Sequence, residues 1–405
     1  MGGMRKNAPI LLLAAGHACV DIYQGAVAAL IPYFVAERDY TYAVASGIVL
    51  AASLLSSLAQ PLFGVLTDRW AMPWLLPVST LLGGAGIALS GLSGSYGITL
   101  FFVAASGIGV SAYHPESARM ARQASQGSHS AMSWFSLGGN IGFALAPLMV
   151  SATIGQGSLH LTPVLVVPAL AGASVCVPVL RILARPQTGT TTTPQTPIAA
   201  DDVASFVKLS LAVVFRSIVF TGLSTFIALY AQQRIPDSTT AGAVALSLLF
   251  LGGAVGSVLG GALANRYDRV QVSRWAYLLC VPAVTGLIYA PGAAMFCFVA
   301  LTSAALYVPF SLQVTLSQDY LPSRIGTASG ITLGLTVSIG GLFSPLVGRL
   351  ADTTTLRTAL TPLIAMPALS WLLFRALPEP TTPGTRTATP PPVSTRPDAQ
   401  TETGR

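Results

Sequence analysis

Apolar stretches of about 20 residues, long enough to cross a bilayer, recur twelve times along the chain with mostly short polar segments between them. Lipid offers no hydrogen-bond partner to a peptide group, so each stretch is predicted to be a membrane-spanning α-helix. The pattern therefore predicts an all-α membrane protein. The twelve predicted spans lie near residues 9–34, 43–66, 73–92, 97–119, 130–154, 161–183, 206–231, 240–264, 272–290, 293–317, 326–348 and 358–376.

The two halves of the chain repeat each other at an offset of 197 residues. Gly64–Arg69 (GVLTDR) is matched by Gly261–Arg266 (GALANR), each at the end of a span rich in small residues. At the same offset, Gly25 in the first span is matched by Gly222 in the seventh. The repeat predicts two pseudo-symmetric six-helix bundles. Duplicated units of this kind are typical of secondary transporters, which bind substrate near the bilayer midplane between two bodies.

The repeat and the composition divide the chain into four segments. We expect an N-terminal bundle over 1–183 and a C-terminal bundle over 205–377. The cytoplasmic linker, 184–204, is rich in threonine and proline, which is typical of a flexible connection. The tail, 378–405, has the composition of a disordered cytoplasmic extension.

Charge is scarce and unevenly placed. Of 405 residues, 52% are hydrophobic and 9% are charged, and the mean hydropathy is +0.67; soluble domains carry about 25% charged residues. With the N-terminus inside, sixteen of the 21 basic residues lie in cytoplasmic segments, four lie in outer loops and Arg216 lies within a span. This distribution predicts cytoplasmic termini in an inner membrane. It also explains the net charge of +7 without a nucleic-acid partner.

Several function classes lack their usual sequence features. No Walker-type phosphate loop, local metal-ligand spacing or plausible nucleophile–base pair is found. We therefore expect no cofactor, no metal and no enzymatic activity. All the cysteines fall within predicted spans, where we expect small core residues; they are Cys19, Cys176, Cys280 and Cys297.

The loop after the second span carries a recognisable motif. Its Gly64, Asp68 and Arg69 resemble the signature loop of the major facilitator superfamily. The resemblance implies that the aspartate caps a neighbouring helix and latches the outward-open state. The second half has Asn265 before Arg266, so we expect the latch to be asymmetric.

Longer motifs resemble the fosmidomycin-resistance branch of that superfamily. This resemblance implies a twelve-helix, proton-coupled exporter of small molecules. The motifs are His17–Gly25, Gln60–Gly64, Tyr113–Glu116, Gly138–Pro147 and Arg216–Phe226.

Polar residues within the spans are the candidates for chemistry. A charge at the centre of a span is unfavourable by about 2.5–3.5 kcal/mol on insertion scales, yet Asp21 lies near the middle of the first span. His17, Asp21 and Gln24 fall on one helix face, which we expect to look into a central cavity. Arg216 lies about ten residues into the seventh span. Asn140 contributes to a polar seam on the fifth.

The fourth span contributes a second carboxylate. Glu116 shares a helix face with Tyr113, whereas His114 is rotated from Glu116 by about 200°. His114 and Glu116 are therefore not expected to serve the same surface. His114 is either functional or an interhelical hydrogen-bond donor. Glu116 either takes part in transport or pairs with Arg119 or Arg122 near the cytoplasmic end.

An intramembrane carboxylate either takes up a proton when desolvated or stays ionised beside a cation. Our hypothesis is that Asp21 or Glu116 carries a proton, and that Arg216 is its counter-charge or the anchor of an acidic substrate. The alternative for Asp21 is a structural carboxylate satisfied by His17 or a hydroxyl.

The sequence therefore favours a proton-coupled exporter that works by alternating access. Its expected partners are a small-molecule substrate, protons and the lipid bilayer, and we expect it to act as a monomer. An uptake permease of the same fold is the alternative. A non-transporting membrane protein is the third class, and the absence of a sensory domain and of a nucleophile–base pair counts against it.

Overall fold

The regular structure of the protein is helical throughout the described residues. The computed structural model describes residues 2–125, 129–155, 157–183, 200–324, 328, 331–332 and 336–380. Short 3-10 helices lie at Leu159–Val166, Pro322–Arg324 and Thr361–Ile364. The α-helices are α1 (Gly2–Arg38), α2 (Tyr42–Arg69), α3 (Leu75–Ser90), α4 (Tyr96–Ser125), α5 (His129–Ile154), α6 (Val167–Leu183), α7 (Val203–Arg234), α8 (Ala241–Ala264), α9 (Arg269–Tyr289), α10 (Ala294–Tyr307), α11 (Phe310–Tyr320), α12 (Thr336–Thr353), α13 (Leu356–Leu360) and α14 (Ala365–Arg375).

Ten helical segments in the described ranges are long and apolar enough to cross a membrane. The predicted third span corresponds to α3, a shorter apolar helix of 16 residues. The predicted tenth span is divided into α10 and α11 at Pro309, which lacks the N–H that would continue the ladder. The start of the predicted eleventh span lies partly outside the described residues, and its described part is α12.

The helices pack in a pattern that recurs between the two halves. In the first half, α1 packs against α5 and α6, and α4 packs against α2 and α3. In the second half, α7 packs against α12 and α14, and α10 packs against α8 and α9. One polar contact recurs with them: Arg38 donates to the carbonyl of Gly91 at 2.9 Å, and Arg234 donates to that of Ala290 at 2.5 Å. Each of these arginines joins the end of one helix to the end of another.

Glycine allows the closest helix contacts. A Cβ on Gly142 of α5 would collide with the carbonyl oxygen of Ala18 on α1. A Cβ on Gly256 of α8 would likewise collide with the carbonyl oxygen of Ala304 on α10. Small residues permit such approach in membranes, where van der Waals packing replaces the hydrophobic effect between helices.

Helices of the two halves meet mainly through α2 with α12 and α5 with α8. At the start of α2, the Asp352 carboxylate of α12 accepts hydrogen bonds from the backbone N–H groups of Tyr42 (2.7 Å) and Ala43 (3.0 Å). Near the other end of α2 and of α8, Gly64 and Gly261 have no atom within 4 Å of where a Cβ would be. The described contacts therefore bring the two halves together at the end of the molecule where α2 begins.

Three features differ from expectation. Cys297 is exposed on α10, whereas a core position was expected. The expectation was wrong because a helix in lipid also carries apolar side chains on its outer face. Helix α7 begins at Val203, inside the predicted linker. Glu379, predicted to belong to the tail, accepts hydrogen bonds from Arg269 and from the N–H of Val270, each at 2.8 Å. Residues 184–199 and 381–405 of the linker and tail lie outside the described residues.

Candidate functional site

A cavity lies between helices of the two halves. Gln24 and Ser53 contribute polar atoms from the first half, and Thr221 contributes a hydroxyl from the second. Phe143 and Phe250 meet across the cavity wall, with ring centres 5.2 Å apart. No charged side chain is among the described residues that line this cavity.

Asp21 lies one turn of α1 from Gln24, buried between two histidines. His17 on the same helix brings Nε2 to 3.2 Å from Oδ2 of Asp21, and His114 on α4 brings Nε2 to 3.1 Å from Oδ1. The 3.1 Å approach of His114 to Oδ1 is not a well-aligned hydrogen bond, and the contact is ionic only when the ring is protonated. The donor atoms of the three side chains lie within 4.8 Å of one another, close enough to converge on a single cation.

Backbone carbonyls determine which nitrogen of each histidine carries a proton. Nδ1 of His17 lies 2.9 Å from the carbonyl of Phe135, and Nδ1 of His114 lies 2.7 Å from that of Val110. A carbonyl oxygen only accepts, so both Nδ1 atoms are N–H donors. In a neutral ring of this tautomer, Nε2 carries a lone pair.

That lone pair would face an oxygen of Asp21 in each contact. A proton is therefore needed between the carboxylate and each ring, on the nitrogen or on the oxygen. With both contacts protonated the cluster has one net positive charge, and with neither it has one net negative charge. Each of the two contacts is thus a place where one proton can lie.

The surroundings hold the cluster in place. The ring of Phe135 stacks on His17 with centres 4.3 Å apart. A Cβ on Gly139 of α5 would collide with Oδ2 of Asp21 and come within 2.8 Å of Nε2 of His17. The hydroxyl of Tyr113 is buried without a hydrogen-bond partner.

Glu116 lies on a different face of α4 and has its own partner. Its side chain is fully buried, and Arg119 holds it with two hydrogen bonds, one of them 2.9 Å from Nε to Oε2. This is one of the two pairings considered from the sequence. His114 and Glu116 therefore act on separate neighbours, Asp21 and Arg119.

Arg216 lies on α7, one turn from Phe220, which lines the cavity. It is 3% exposed, and its guanidinium lies over the rings of Tyr307 (5.7 Å) and Phe310 (5.0 Å). No ion pair joins Arg216 to a described carboxylate, and Asp21 contacts His17 and His114 instead.

The predicted polar stripe of α1 is divided between two environments. Gln24 lines the cavity as expected, whereas His17 and Asp21 turn toward α4 and α5. Asn140 is half-buried on α5. The stripe therefore joins the cavity wall to the buried cluster instead of forming one continuous surface.

Residues 13–345 match the sequence profile of the Major Facilitator Superfamily. The chain belongs to this superfamily. Its members are transporters and not enzymes. The chain is also 30% identical, over 368 residues, to the fosmidomycin resistance protein of Escherichia coli (strain K12), covering 87% of this chain and 90% of that protein. It is 26% identical to the uncharacterised transporter YfnC of Bacillus subtilis (strain 168), covering 90% of this chain and 91% of YfnC.

Solved structures share this major facilitator fold. An inward-facing, occupied bacterial homologue of the human lysosomal transporter Spinster aligns with a TM-score of 0.76 and 16% identity, covering 91% of this chain and 95% of that one. The nucleoside transporter NupG aligns with a TM-score of 0.71 and 13% identity, covering 91% and 98%. The chain is therefore a multi-pass membrane protein with the superfamily fold.

The superfamily's signature loop is only partly described. The side chain of Asp68 lies outside the described residues, and Arg69 is exposed. In the second half, Asn265 ends α8 and Arg266 is exposed.

Sequence reasoning missed Arg269, which follows the second of these loops. It pairs with Asp319 at 2.6 Å and with Glu379 at 2.8 Å. Its partners lie 50 and 110 residues away, so no local spacing could have identified them. Arg269 joins the beginning of α9 to α11 and to the segment after α14.

Proposed function

We propose that this major facilitator protein is a proton-coupled exporter of small molecules. The observation that carries the proposal is the buried cluster of His17, Asp21 and His114 beside the central cavity. Its two carboxylate–imidazole contacts need protons, and a proton-driven transporter must bind and release protons next to its substrate. The similarity to a fosmidomycin resistance protein supports export and makes fosmidomycin the first substrate to test.

The proposed architecture is twelve spans in two six-helix bundles, with both termini in the cytoplasm and the protein acting as a monomer in the inner membrane. In this orientation α2 begins at the outer face. The contacts of Asp352 with Tyr42 and Ala43 would then close the outside, so that the cavity communicates with the cytoplasm. Alternating access requires these contacts to break while others form at the inner face.

Asp21 is the proposed proton carrier. When a proton arrives from outside, it completes a contact with His17 or His114 and changes the charge of the cluster. Release to the cytoplasm reverses the change, and the two charge states favour different positions of α1 against α4. Glu116 is excluded from this role in our proposal because Arg119 already donates hydrogen bonds to both of its carboxylate oxygens.

Transport in inverted membrane vesicles tests the proposal. Respiration acidifies the vesicle lumen, so an exporter should accumulate labelled fosmidomycin and lose it when an uncoupler is added. We expect Asp21→Asn to abolish the uncoupler-sensitive part, whereas Asp39→Asn, which changes an exposed carboxylate outside any helix, should not.

Two results would contradict the proposal. Undiminished proton-driven accumulation by the Asp21→Asn protein would reject the cluster as the coupling site. Accumulation in whole cells instead of inverted vesicles would identify an uptake permease.

A further inference from the structure

Arg216 is a buried positive charge without a negative partner among the described residues. It is 3% exposed, and its Nε makes no hydrogen bond. The rings of Tyr307 and Phe310 lie over the guanidinium, but cation–π attraction is weaker than the hydration that burial removes. The described residues therefore leave this charge incompletely satisfied.

Gln313 adds a second unsatisfied group. It is 1% exposed on α11, and its Nε2 donates to the hydroxyl of Tyr277 at 2.5 Å while its Oε1 has no partner. If the amide is turned over, Tyr277 donates to Oε1 and the two N–H groups of Nε2 become the unpartnered ones. Either orientation leaves a buried polar atom free, one helical turn from Phe310, whose ring lies against the Arg216 guanidinium.

Aromatic rings connect this polar cluster to the cavity. The ring of Phe220, which lines the cavity, lies 5.1 Å from that of Tyr307, and Tyr307 lies 5.5 Å from Phe310. A ligand that reached Arg216 from the cavity would place its body against these rings. Its charged group would lie at the guanidinium.

The charges around the cavity favour an anion there. The described lining is uncharged, and the buried carboxylates nearby already have partners: Asp21 has two histidines and Glu116 has Arg119. A cationic ligand would therefore find no free carboxylate. An oxoanion would find the planar fork of Arg216, which binds two oxygens at once.

We propose that Arg216, Tyr277 and Gln313 bind the oxoanion group of the substrate, and that the substrates are small organic anions with a compact apolar body. This inference rests on the proposed transport function and names its substrate class. It also assigns roles to Tyr277 and Gln313.

Three ligands of nearly identical shape test the charge preference. Benzoate, benzamide and benzamidine are titrated near neutral pH into the purified full chain by isothermal titration calorimetry; at this pH benzoate is an anion and benzamidine a cation. We expect benzoate to bind about tenfold or more tightly than either of the others, since charge-assisted bidentate hydrogen bonds are about twice as strong as neutral ones. Equal binding of benzamidine would overturn the inference.

Variants locate the site. Arg216→Gln should remove the preference for benzoate, and Arg216→Lys should retain part of it because the charge remains but the fork is lost. Gln313→Met should weaken benzoate alone. Arg357→Gln is the matched control, because Arg357 is exposed near the start of α13. If Arg216→Gln fails to fold, the three ligands and the Arg216→Lys protein still test the site. An unchanged preference for benzoate in both Arg216→Lys and Gln313→Met would reject it.

The failure of this inference can be told apart from failure of the proposed function. Asp21→Asn should keep the preference for benzoate over benzamidine while losing proton-driven transport. Binding of benzoate that depends on Arg216, without proton-driven flux in the unmodified protein, would leave the anion site standing and reject proton-coupled export. Proton-driven flux of fosmidomycin with no preference for benzoate would support proton-coupled export and reject the anion site.

Discussion

Gly139 decides whether Asp21 and His17 can meet. A Cβ at this position would collide with Oδ2 of Asp21, so an alanine must displace the carboxylate, the imidazole or helix α5. We expect Gly139→Ala to lower proton-driven transport about as strongly as Asp21→Asn, because both changes disrupt the same contact. Uncoupler-sensitive accumulation in inverted vesicles measures the effect.

The control for that substitution is Gly97→Ala on α4, outside the signature loop. The only atom near the added Cβ would be the hydroxyl oxygen of Ser95 at 4.0 Å, so helix propensity is the main local term that changes. Thermal unfolding of the purified variants shows whether Gly139→Ala still folds. Normal transport by a folded Gly139→Ala protein would mean that the cluster geometry is not needed.

At the scale of the residue, contacts within one helix can be predicted from the sequence, whereas contacts between helices cannot. His17 with Asp21 and Glu116 with Arg119 are four and three residues apart, so helix periodicity alone makes them neighbours. His114 lies 93 residues from Asp21, and nothing in the sequence indicates which way α4 turns toward α1.

At the scale of the element, the beginning of α7 depends on one carboxylate. Oδ1 of Asp202 accepts a hydrogen bond from the N–H of Ser205 at 3.0 Å. This backbone hydrogen bond holds the pKa of Asp202 below its ordinary value. Its contribution to stability is therefore complete above the ordinary pKa, about 4, and is lost as pH falls through the lower, folded-state pKa.

We expect Asp202→Ala to destabilise the protein at neutral pH by about 0.5–1 kcal/mol, as for an exposed N-cap. The difference from the unmodified protein should narrow as the pH falls below about 4. Thermal unfolding in detergent across this range measures both effects. Asp237→Ala, which removes an exposed carboxylate after the end of α7, is the control, and a difference that is constant with pH would contradict the assignment.

The close contact of α8 with α10 gives a second prediction at this scale. Gly256 faces the carbonyl of Ala304, so Gly256→Val must separate the helices; overpacking of this kind is unfavourable by about 1–3 kcal/mol. We expect a lower unfolding temperature than for Gly261→Val on the same helix, where a Cβ meets no atom within 4 Å. Equal unfolding temperatures would show that the contact is not close in the membrane.

The helices themselves were predictable from apolar length, but their contact faces were not. Gly256 and Gly261 are both small residues on one apolar helix, yet only the first contacts α10. In a membrane span, every face is apolar, so periodicity does not distinguish the packed face from the lipid face. Pro309 divides α10 from α11, yet Pro61 and Pro115 lie within continuous helices, so the sequence alone does not show which proline interrupts a span.

At the scale of the whole molecule, the repeat at an offset of 197 residues was more informative about helix packing than the number of spans was. The packing of α1, α4 and their neighbours recurs in α7, α10 and theirs, as a duplicated chain predicts. The contacts between the halves were not predictable. They differ between conformations of a transporter, whereas a sequence is the same in all of them.

The carboxylate of Asp352 allows a test of whether the contacts between the halves change with conformation. It caps the first N–H groups of α2 from the other half of the chain, so it stabilises only conformations in which these helices meet. An N-cap contributes about 1 kcal/mol, which corresponds to about a fivefold change in a conformational ratio. We therefore expect Asp352→Ala to shift the population toward conformations open at this face.

Spin labels at Asp39 and Asp237, both exposed beyond the ends of α1 and α7, report the separation of the halves in a cysteine-free protein. The distance distribution should gain a longer component in Asp352→Ala. Asp268→Ala is the control, because Asp268 lies between α8 and α9 and its side chain caps no helix. Because the carboxylate acts only across the interface, an unchanged distribution would show that the contact does not hold this face closed.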